Sequence, residues 1–385
     1  MKQLIAFSVI VMILMTQASA KPRGIILTDS IHSKILSERR DLLINLPSSY
    51  DQNKTLTYPV VFLTDGLRNF NHASGTLDLL TQSHEAQEMI IIAIKNTQRA
   101  RDFTPTYDES YNKWGVSGGA DNFLDFIEHE LIPHINENYR TNNFKILSGH
   151  SLGGLLVIHS LQTRPELFQA HFAFSPSLWW HDGVIFKNTK TFYEKGGNLN
   201  SYLYMNLANE KGQMLSSFEK YEHLLKNHNL KGFSYDTDVV EEENHSTSAM
   251  VGHNKAYTHL YKQFQCPTDI ITQGIPAIEK YYMQLSKQYK AEIKPSYHTL
   301  AQVAGIAYNK KDFSDAIEIY KSLITQFPHL SDPHYRIAYI YETQGKYSRS
   351  IEALDKALNI STSENVENNK YKALRAFVLA KMNNS

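Results

Sequence analysis

The sequence predicts an α/β protein: a mostly parallel sheet flanked by helices, followed by a small all-α region. Three observations lead there. Apolar runs of strand length alternate with stretches of helical period between about residues 58 and 265. One such run, at 144–147, passes through Gly149-His150-Ser151-Leu152-Gly153-Gly154 into a second apolar run at 155–158. That passage reads as strand, sharp turn, helix. The tail from about residue 297 matches itself at a shift of 34 residues.

Taken in order, Met1-Lys2-Gln3, an apolar run over 4–15 and Ala18-Ser19-Ala20 read as a signal peptide cleaved after Ala20. The run is short for a spanning helix, so a periplasmic or secreted protein with no membrane span after cleavage is expected. Residues 21–57 open the sheet with strands and turns. Strand-like runs then occupy 58–63, 89–94, 144–147, 170–175, 202–207 and 233–240. The clearest helix spans 121–139, with Phe123, Phe126, Ile127 and Leu131 on one face. The expected divisions are a signal peptide (1–20), the α/β domain (21–267), a linking helix (268–296) and the helical repeats (297–385).

Composition excludes several function classes. The 39 basic and 39 acidic residues balance, which leaves no electrostatic footing for nucleic acid. With 42% hydrophobic residues in 385, a sizeable core is available. Cys266 is the single cysteine, so an internal disulfide and a cysteine zinc site are both excluded. His129 and His134 flank Glu130 but stand five apart with Pro133 between them, off one helical face. No metal and no cofactor is expected.

The strand–G-x-S-x-G–helix passage is the pattern of a nucleophile elbow. Side chains crowd the backbone in so tight a turn, and Gly149 and Gly153 relieve that crowding. Ser151 is then exposed at the carboxyl edge of the sheet beside a helix N-terminus, where developing negative charge is favoured. An acid and a histidine must follow in that order. Glu210 lies just past the run 202–207, and His245 just past the run 233–240. A neutral histidine there takes the serine proton, and a carboxylate behind it fixes the tautomer. Asp236 and Asp238 are rival acids but sit inside a strand pattern. Glu241, Glu242 and Glu243 are too close to His245 in sequence and read as a solvated charge run.

Further segments carry a resemblance. Tyr58-Pro59-Val60-Val61-Phe62-Leu63-Thr64-Asp65-Gly66 is similar to a segment of the putative-esterase family of α/β-hydrolases. Others are Leu46-Pro47 with Tyr50-Asp51, Arg99-Ala100-Arg101-Asp102-Phe103-Thr104-Pro105, Gly118-Gly119-Ala120-Asp121-Asn122-Phe123, Ser175-Pro176-Ser177-Leu178-Trp179-Trp180 and Glu243-Asn244-His245-Ser246-Thr247. They run in order over about residues 35–265. Within that family the chain most resembles the siderophore trilactone esterases. The resemblance implies the α/β-hydrolase fold, a triad of Ser151, Glu210 and His245, and an oxyanion hole. The hole's donors are the Leu152 N–H and one N–H of the loop holding Gly66 and Leu67. The fold itself calls for the second donor, from the loop after the strand neighbouring the elbow strand. Gly66 would let that loop approach a bound carbonyl; the plainer alternative is a simple Asp-Gly turn.

Arg99 and Arg101 follow the run 89–94 and so fall near the same edge. They either clamp an anionic substrate or pair with local carboxylates such as Asp102. Trp179 and Trp180 either wall an aryl or sugar site or pack the core.

In the tail, Ala304 aligns with Ala338, Ile306 with Ile340, Phe313 with Tyr347, Ile317 with Ile351, Tyr320 with Leu354 and Ile324 with Leu358. Thirty-four residues is the tetratricopeptide period. Gly345 supplies the inter-helix turn of the second repeat, where the first has Lys311. Residues 364–381 read as a capping helix. Two repeats and a cap are short for an independent solenoid, so packing on the hydrolase, self-association or a protein partner is expected. The expectation is a serine esterase acting on a small-molecule ester, possible siderophore lactones included. The alternatives are an acyltransferase of the same fold, or a vestigial hydrolase whose tail is an adaptor.

Overall fold

The computed structural model describes residues 24–195, 198–228, 230–364 and 369–383. The signal-peptide reading of residues 1–20 lies outside them. Strands β1 (Ile25–Ser33), β2 (Glu38–Leu46), β3 (Tyr58–Leu63), β4 (Ile90–Ile94), β5 (Thr141–His150), β6 (Ala170–Phe174), β7 (Asn198–Ala208) and β8 (Lys231–Val240) form one sheet. Its order is β1-β2-β4-β3-β5-β6-β7-β8. The first two pairings, β1 with β2 and β2 with β4, are antiparallel, and every pairing from β4 to β8 is parallel. The mostly parallel sheet expected from the sequence is present.

β3 and β4 are buried along their whole length. A parallel strand covered on both faces has no solvent side, so its sequence is a continuous apolar run and not an alternation. Successive side chains still point to opposite faces. Val60 and Phe62 enter one core, Val61 and Leu63 the other. The first core is covered by α3 (Ala120–Phe126), which runs through a π turn (Ile127–Leu131) into α4 (Ile132–Asn138), and by α5 (Leu152–Thr163), α7 (Ile185–Lys195) and α8 (Gln213–Asn227). The second is covered by α1 (Gly66–Gln82), α9 (Ser248–Gln263) and α11 (Ile275–Tyr289). The stretch predicted as a linking helix is thus two helices, α10 (Thr268–Ile271) and α11, and α11 buries Ile278, Tyr282 and Tyr289 in the sheet-covering layer. Short α2 (Arg99–Phe103) and α6 (Trp180–Gly183) follow β4 and β6.

The chain leaves β3 for β4 on one side, then crosses back to β5 on the other. Ligands in open α/β sheets bind outside the carboxyl ends at such a reversal. Asp65 and Ser151 stand there, each between a strand and a helix N-terminus.

The chain divides into two compact units, Arg23–His329 and Leu330–Ser385. The first repeat, α12 (Tyr297–Asn309) with α13 (Phe313–Gln326), belongs to the larger unit. The second, α14 (Asp332–Thr343) with α15 (Tyr347–Glu364), forms the smaller one with α16 (Asn369–Asn383). The aligned Ala304 and Ala338 are both fully buried. Lys311 adopts φ 63° where Gly345 adopts 70°, so the first repeat makes the same left-handed turn without glycine.

Candidate active site

Ser151 has φ 60° and ψ −116°, a strained conformation for a residue with a side chain. The strain is held because the elbow is wedged between its neighbours. A Cβ on Gly149 would lie 2.3 Å from the Gly153 carbonyl oxygen, and one on Gly153 would lie 2.5 Å from Thr64 Oγ1. The Ser151 N–H donates to the Phe174 carbonyl at 2.9 Å, which ties the elbow to the end of β6.

Three predicted side chains meet in a hydrogen-bonded relay. Ser151 Oγ lies 3.0 Å from His245 Nε2, and His245 Nδ1 lies 2.7 Å from Glu210 Oε1. A carboxylate only accepts, so Nδ1 carries the proton and Nε2 is left to accept from the serine hydroxyl. Such an arrangement moves the serine proton onto the imidazole while the carboxylate stabilises the resulting cation. The Glu210 side chain is 9% exposed. Burial alone raises its pKa, but hydrogen bonds from His245 and Ser175 outweigh it and hold the carboxyl below its ordinary value.

Leu152 opens α5, and Gly66 and Leu67 open α1. N–H groups in a first helical turn have no intrahelical acceptor. Parallel β3 and β5 pair directly, so both helix N-termini face the same edge. The missing side chain at Gly66 serves a contact other than the expected one: a Cβ there would lie 2.7 Å from the Ile94 carbonyl oxygen.

The two arginines are held by carboxylates. Arg99 grips Asp65 with Nε at 2.6 Å and Nη2 at 2.9 Å, and its Nη2 also donates to the His150 carbonyl at 3.1 Å. It braces the α1 loop against the elbow while still lining the cleft beside Ser151. Arg101 pairs with Glu38 and Asp102, each at 2.7 Å, and is absent from the residues lining the clefts at Ser151. The two tryptophans also separate. Trp179 lines both clefts, whereas Trp180 is fully buried with its ring 4.6 Å from that of Tyr111. The rival acids are engaged elsewhere: Asp236 accepts from Tyr202 at 2.7 Å, and Asp238 pairs with Lys255.

Two clefts meet at Ser151. One, of about 410 Å³, holds Glu210, Lys211, Gln213, Met214 and His245; the other, of about 360 Å³, holds Arg99, Trp114 and Leu152. Ser177 and Trp179 line both. A larger cavity of about 670 Å³ lies at the amino-terminal ends of β3 and β5, beside Tyr58 and Phe144. A strand's length separates it from the relay, about 20 Å for six residues.

Three site residues escaped the sequence reading. His150 Nε2–H donates to the His245 carbonyl at 2.6 Å and so anchors the loop carrying His245. Burial pushes its pKa down to about 4, so it stays neutral there. Ser175 Oγ donates to Glu210 Oε2 at 2.5 Å, and Ser177 Oγ lies 3.2 Å from Ser151 Oγ. His150 stands inside the elbow motif and the two serines inside the Ser175-Pro176-Ser177 segment. Both segments are recognisable as motifs, but nothing in their spacing marks which side chains reach the relay. The His129–His134 segment has other duties: Glu130 accepts from the Lys34 and Ile35 N–H groups, and His134 Nε2 bonds Asp29 at 2.8 Å.

The chain is similar to known proteins over much of its length. Residues 33–266 fit the family described as "Putative esterase", and residues 304–329 and 331–363 fit two tetratricopeptide-repeat families. A siderophore triacetylfusarinine C esterase from Aspergillus fumigatus is 36% identical over 146 residues, 35% of this chain and 50% of that protein. The ferri-bacillibactin esterase BesA of Bacillus subtilis is 33% identical over 153 residues, 35% of this chain and 53% of that protein. The chain therefore spans about half the length of these relatives. Among solved structures, an IroE-like serine hydrolase from Shewanella oneidensis superposes with a TM-score of 0.69 at 29% identity, covering 78% of this chain and 99% of that one.

Proposed function

The chain belongs to the Putative esterase family, and from that premise we propose that it is a serine hydrolase cleaving carboxylic esters through an acyl-Ser151 intermediate. His245 acts as general base toward the Ser151 hydroxyl and then as general acid toward the leaving alkoxide. Glu210 holds the tautomer and stabilises the imidazolium. The Leu152 N–H and an N–H of the Gly66–Leu67 turn receive the oxyanion. One observation carries this reading: the unbroken relay from Ser151 through His245 to Glu210, with links of 3.0 Å and 2.7 Å.

The substrate class follows from the similar proteins and the cleft. Two of the relatives are named for siderophore esters. Trp114 and Trp179 line the cleft, and Tyr111 packs on both, its ring centroid 5.1 Å and 5.6 Å from theirs. Such a wall suits an aryl-bearing ester or lactone. Residues 1–20 direct the chain to the periplasm or the exterior, and the tetratricopeptide repeats engage a protein partner or a second copy.

A fluorophosphonate probe, followed by an ester panel that includes ferric siderophores, tests the reading. Labelling of the wild type and its loss in Ser151→Ala, with kcat on p-nitrophenyl acetate lower by about 10⁴–10⁶, is the expected outcome. Labelling that persists in Ser151→Ala removes this serine from the role.

A further inference from the structure

Asp65, Ser151 and Ser175 follow β3, β5 and β6, which are neighbours in the sheet, and all three have positive φ: 54°, 60° and 39°. A residue with a side chain is strained there and persists only where the surroundings over-determine it. Asp65 enters the α1 turn and Ser151 is the elbow. Neither accounts for the strain at Ser175, a fully buried residue.

The contacts of Ser175 supply a reason. Its N–H donates to the Asn206 carbonyl at 2.9 Å, fixing the turn to the end of β7. Its hydroxyl donates to Glu210 Oε2, the carboxylate oxygen that His245 does not use. Two residues on, the N–H of Ser177, a residue 2% exposed, donates to the Ser151 carbonyl at 3.0 Å, and its hydroxyl lies 3.2 Å from Ser151 Oγ. Pro176 between them packs on the first turn of α5. A Cβ on Gly154 would stand 3.0 Å from both Pro176 Cα and Cβ, so the second glycine of the Gly153-Gly154 pair is what lets this turn sit against the elbow.

Resting on the acyl-serine reading above, we propose that the Ser175-Pro176-Ser177 turn is a single positioning clamp gripping both ends of the relay. Ser175 holds the acid, and Ser177 holds the nucleophile. The serine hydroxyl proton points to His245 Nε2, so Ser151 Oγ keeps a lone pair for the Ser177 hydroxyl to donate to. That bond limits Ser151 to the rotamer facing the base. On the other side, a carboxylate held at both oxygens cannot swing about its terminal torsion away from Nδ1, a torsion otherwise broad for Glu. A backbone with φ 39° aims the two hydroxyls to opposite ends of the relay within three residues.

The test uses the full chain and three measurements: fluorophosphonate labelling rate, kcat and KM on p-nitrophenyl acetate. Ser175→Ala is expected to lower kcat about tenfold with KM within twofold, since Ser175 is fully buried, orders the relay and does not line either cleft. In the Glu210→Gln background, the same substitution is expected to change kcat by less than twofold, because its effect runs through the acid. Ser175→Cys, similar in volume with a weaker donor, should fall between Ser and Ala; it also serves if the alanine variant does not fold. Ser177→Ala should slow labelling about three- to tenfold, and Ser177→Thr, which keeps the hydroxyl, should restore it at least in part. The proposal is overturned if Ser175→Ala leaves kcat within twofold, or if its loss is the same with Glu210 and with Gln at that position. A labelling rate unchanged in Ser177→Ala removes that half of the clamp. Failure of the underlying reading looks different: the wild type itself is not labelled at Ser151.

Discussion

Asp102 and Glu210 are two carboxylates withdrawn from water in the same unit, 1% and 9% exposed, and they are compensated in opposite ways. Asp102, in α2, is gripped by the guanidinium groups of Arg40 at 2.6 Å and Arg101 at 2.7 Å, and Arg40 itself is fully buried. The hydrogen-bond partners of Glu210 include no permanent cation: it accepts from the Ser175 hydroxyl, the Ala208 N–H and the His245 ring. A full countercharge locks a carboxylate into a static corner. Neutral donors keep it ionised and oriented and, on the mechanism proposed above, leave its field free to stabilise a positive charge that appears on His245 only during reaction. The α2 corner holds a permanent charge pair, whereas the proposed mechanism gives the relay a charge that comes and goes.

The sharpest way to break this comparison is to neutralise each carboxylate as its amide. Glu210→Gln should cut kcat by roughly 10²–10⁴, since the amide favours the wrong imidazole tautomer, while folding stability changes by less than about 2 kcal/mol. Asp102→Asn should do the reverse. It leaves Arg40 buried without full compensation and should cost about 3–5 kcal/mol in urea unfolding, with kcat per folded molecule within about threefold. A large loss of kcat with unchanged stability in Asp102→Asn would mean that the corner takes part in the chemistry.

A smaller effect concerns pH. Glu210 is held below its ordinary value, so its contribution to stability is fully present above the unfolded-state pKa and is lost as pH falls through the folded-state one. The stability advantage of wild type over Glu210→Gln should therefore be greatest near neutrality. It should shrink as pH drops below the ordinary glutamate value of about 4.3. Thermal melts of both proteins from pH 7 to pH 3 check this, and a constant gap contradicts it. The smallest effects should come from Asp236→Asn and Asp238→Asn. Their partners, Tyr202 and His259 for Asp236 and Lys255 and Tyr204 for Asp238, lie outside the relay, so kcat should move by less than about tenfold.

Legibility in the sequence followed how local the cause was. The elbow was readable because its constraint is local: the Gly149 and Gly153 positions are dictated by atoms within a few residues or on the adjacent strand. Glu210 and His245 were readable because a parallel sheet puts every strand's carboxyl end on one edge. The adjacent pairs were not. Arg99 and Arg101 stand two residues apart in a five-residue helix, yet one braces the cleft and the other ties down Glu38 and Asp102. Trp179 and Trp180 are neighbours, and one lines the clefts while the other is fully buried. Side-chain direction at the start of a short helix depends on what packs above it, and sequence spacing does not carry that.

The sequence by itself determined the α/β alternation, the sharp turn at Ser151, the serine–acid–histidine order and the 34-residue repeat. Each of these is set by backbone sterics or by a hydrophobic period within one segment. Only the tertiary structure decided that Ser175 and Ser177 reach the two ends of the relay, that His150 anchors the His245 loop, and that Arg101 is spent on Glu38 and Asp102. Apart from the adjacent Arg101–Asp102 pair, those are contacts between segments from about 25 to 95 residues apart. They come into being only when the sheet brings its strand ends together, because a hydrogen bond depends on tenths of an ångström that no sequence period encodes.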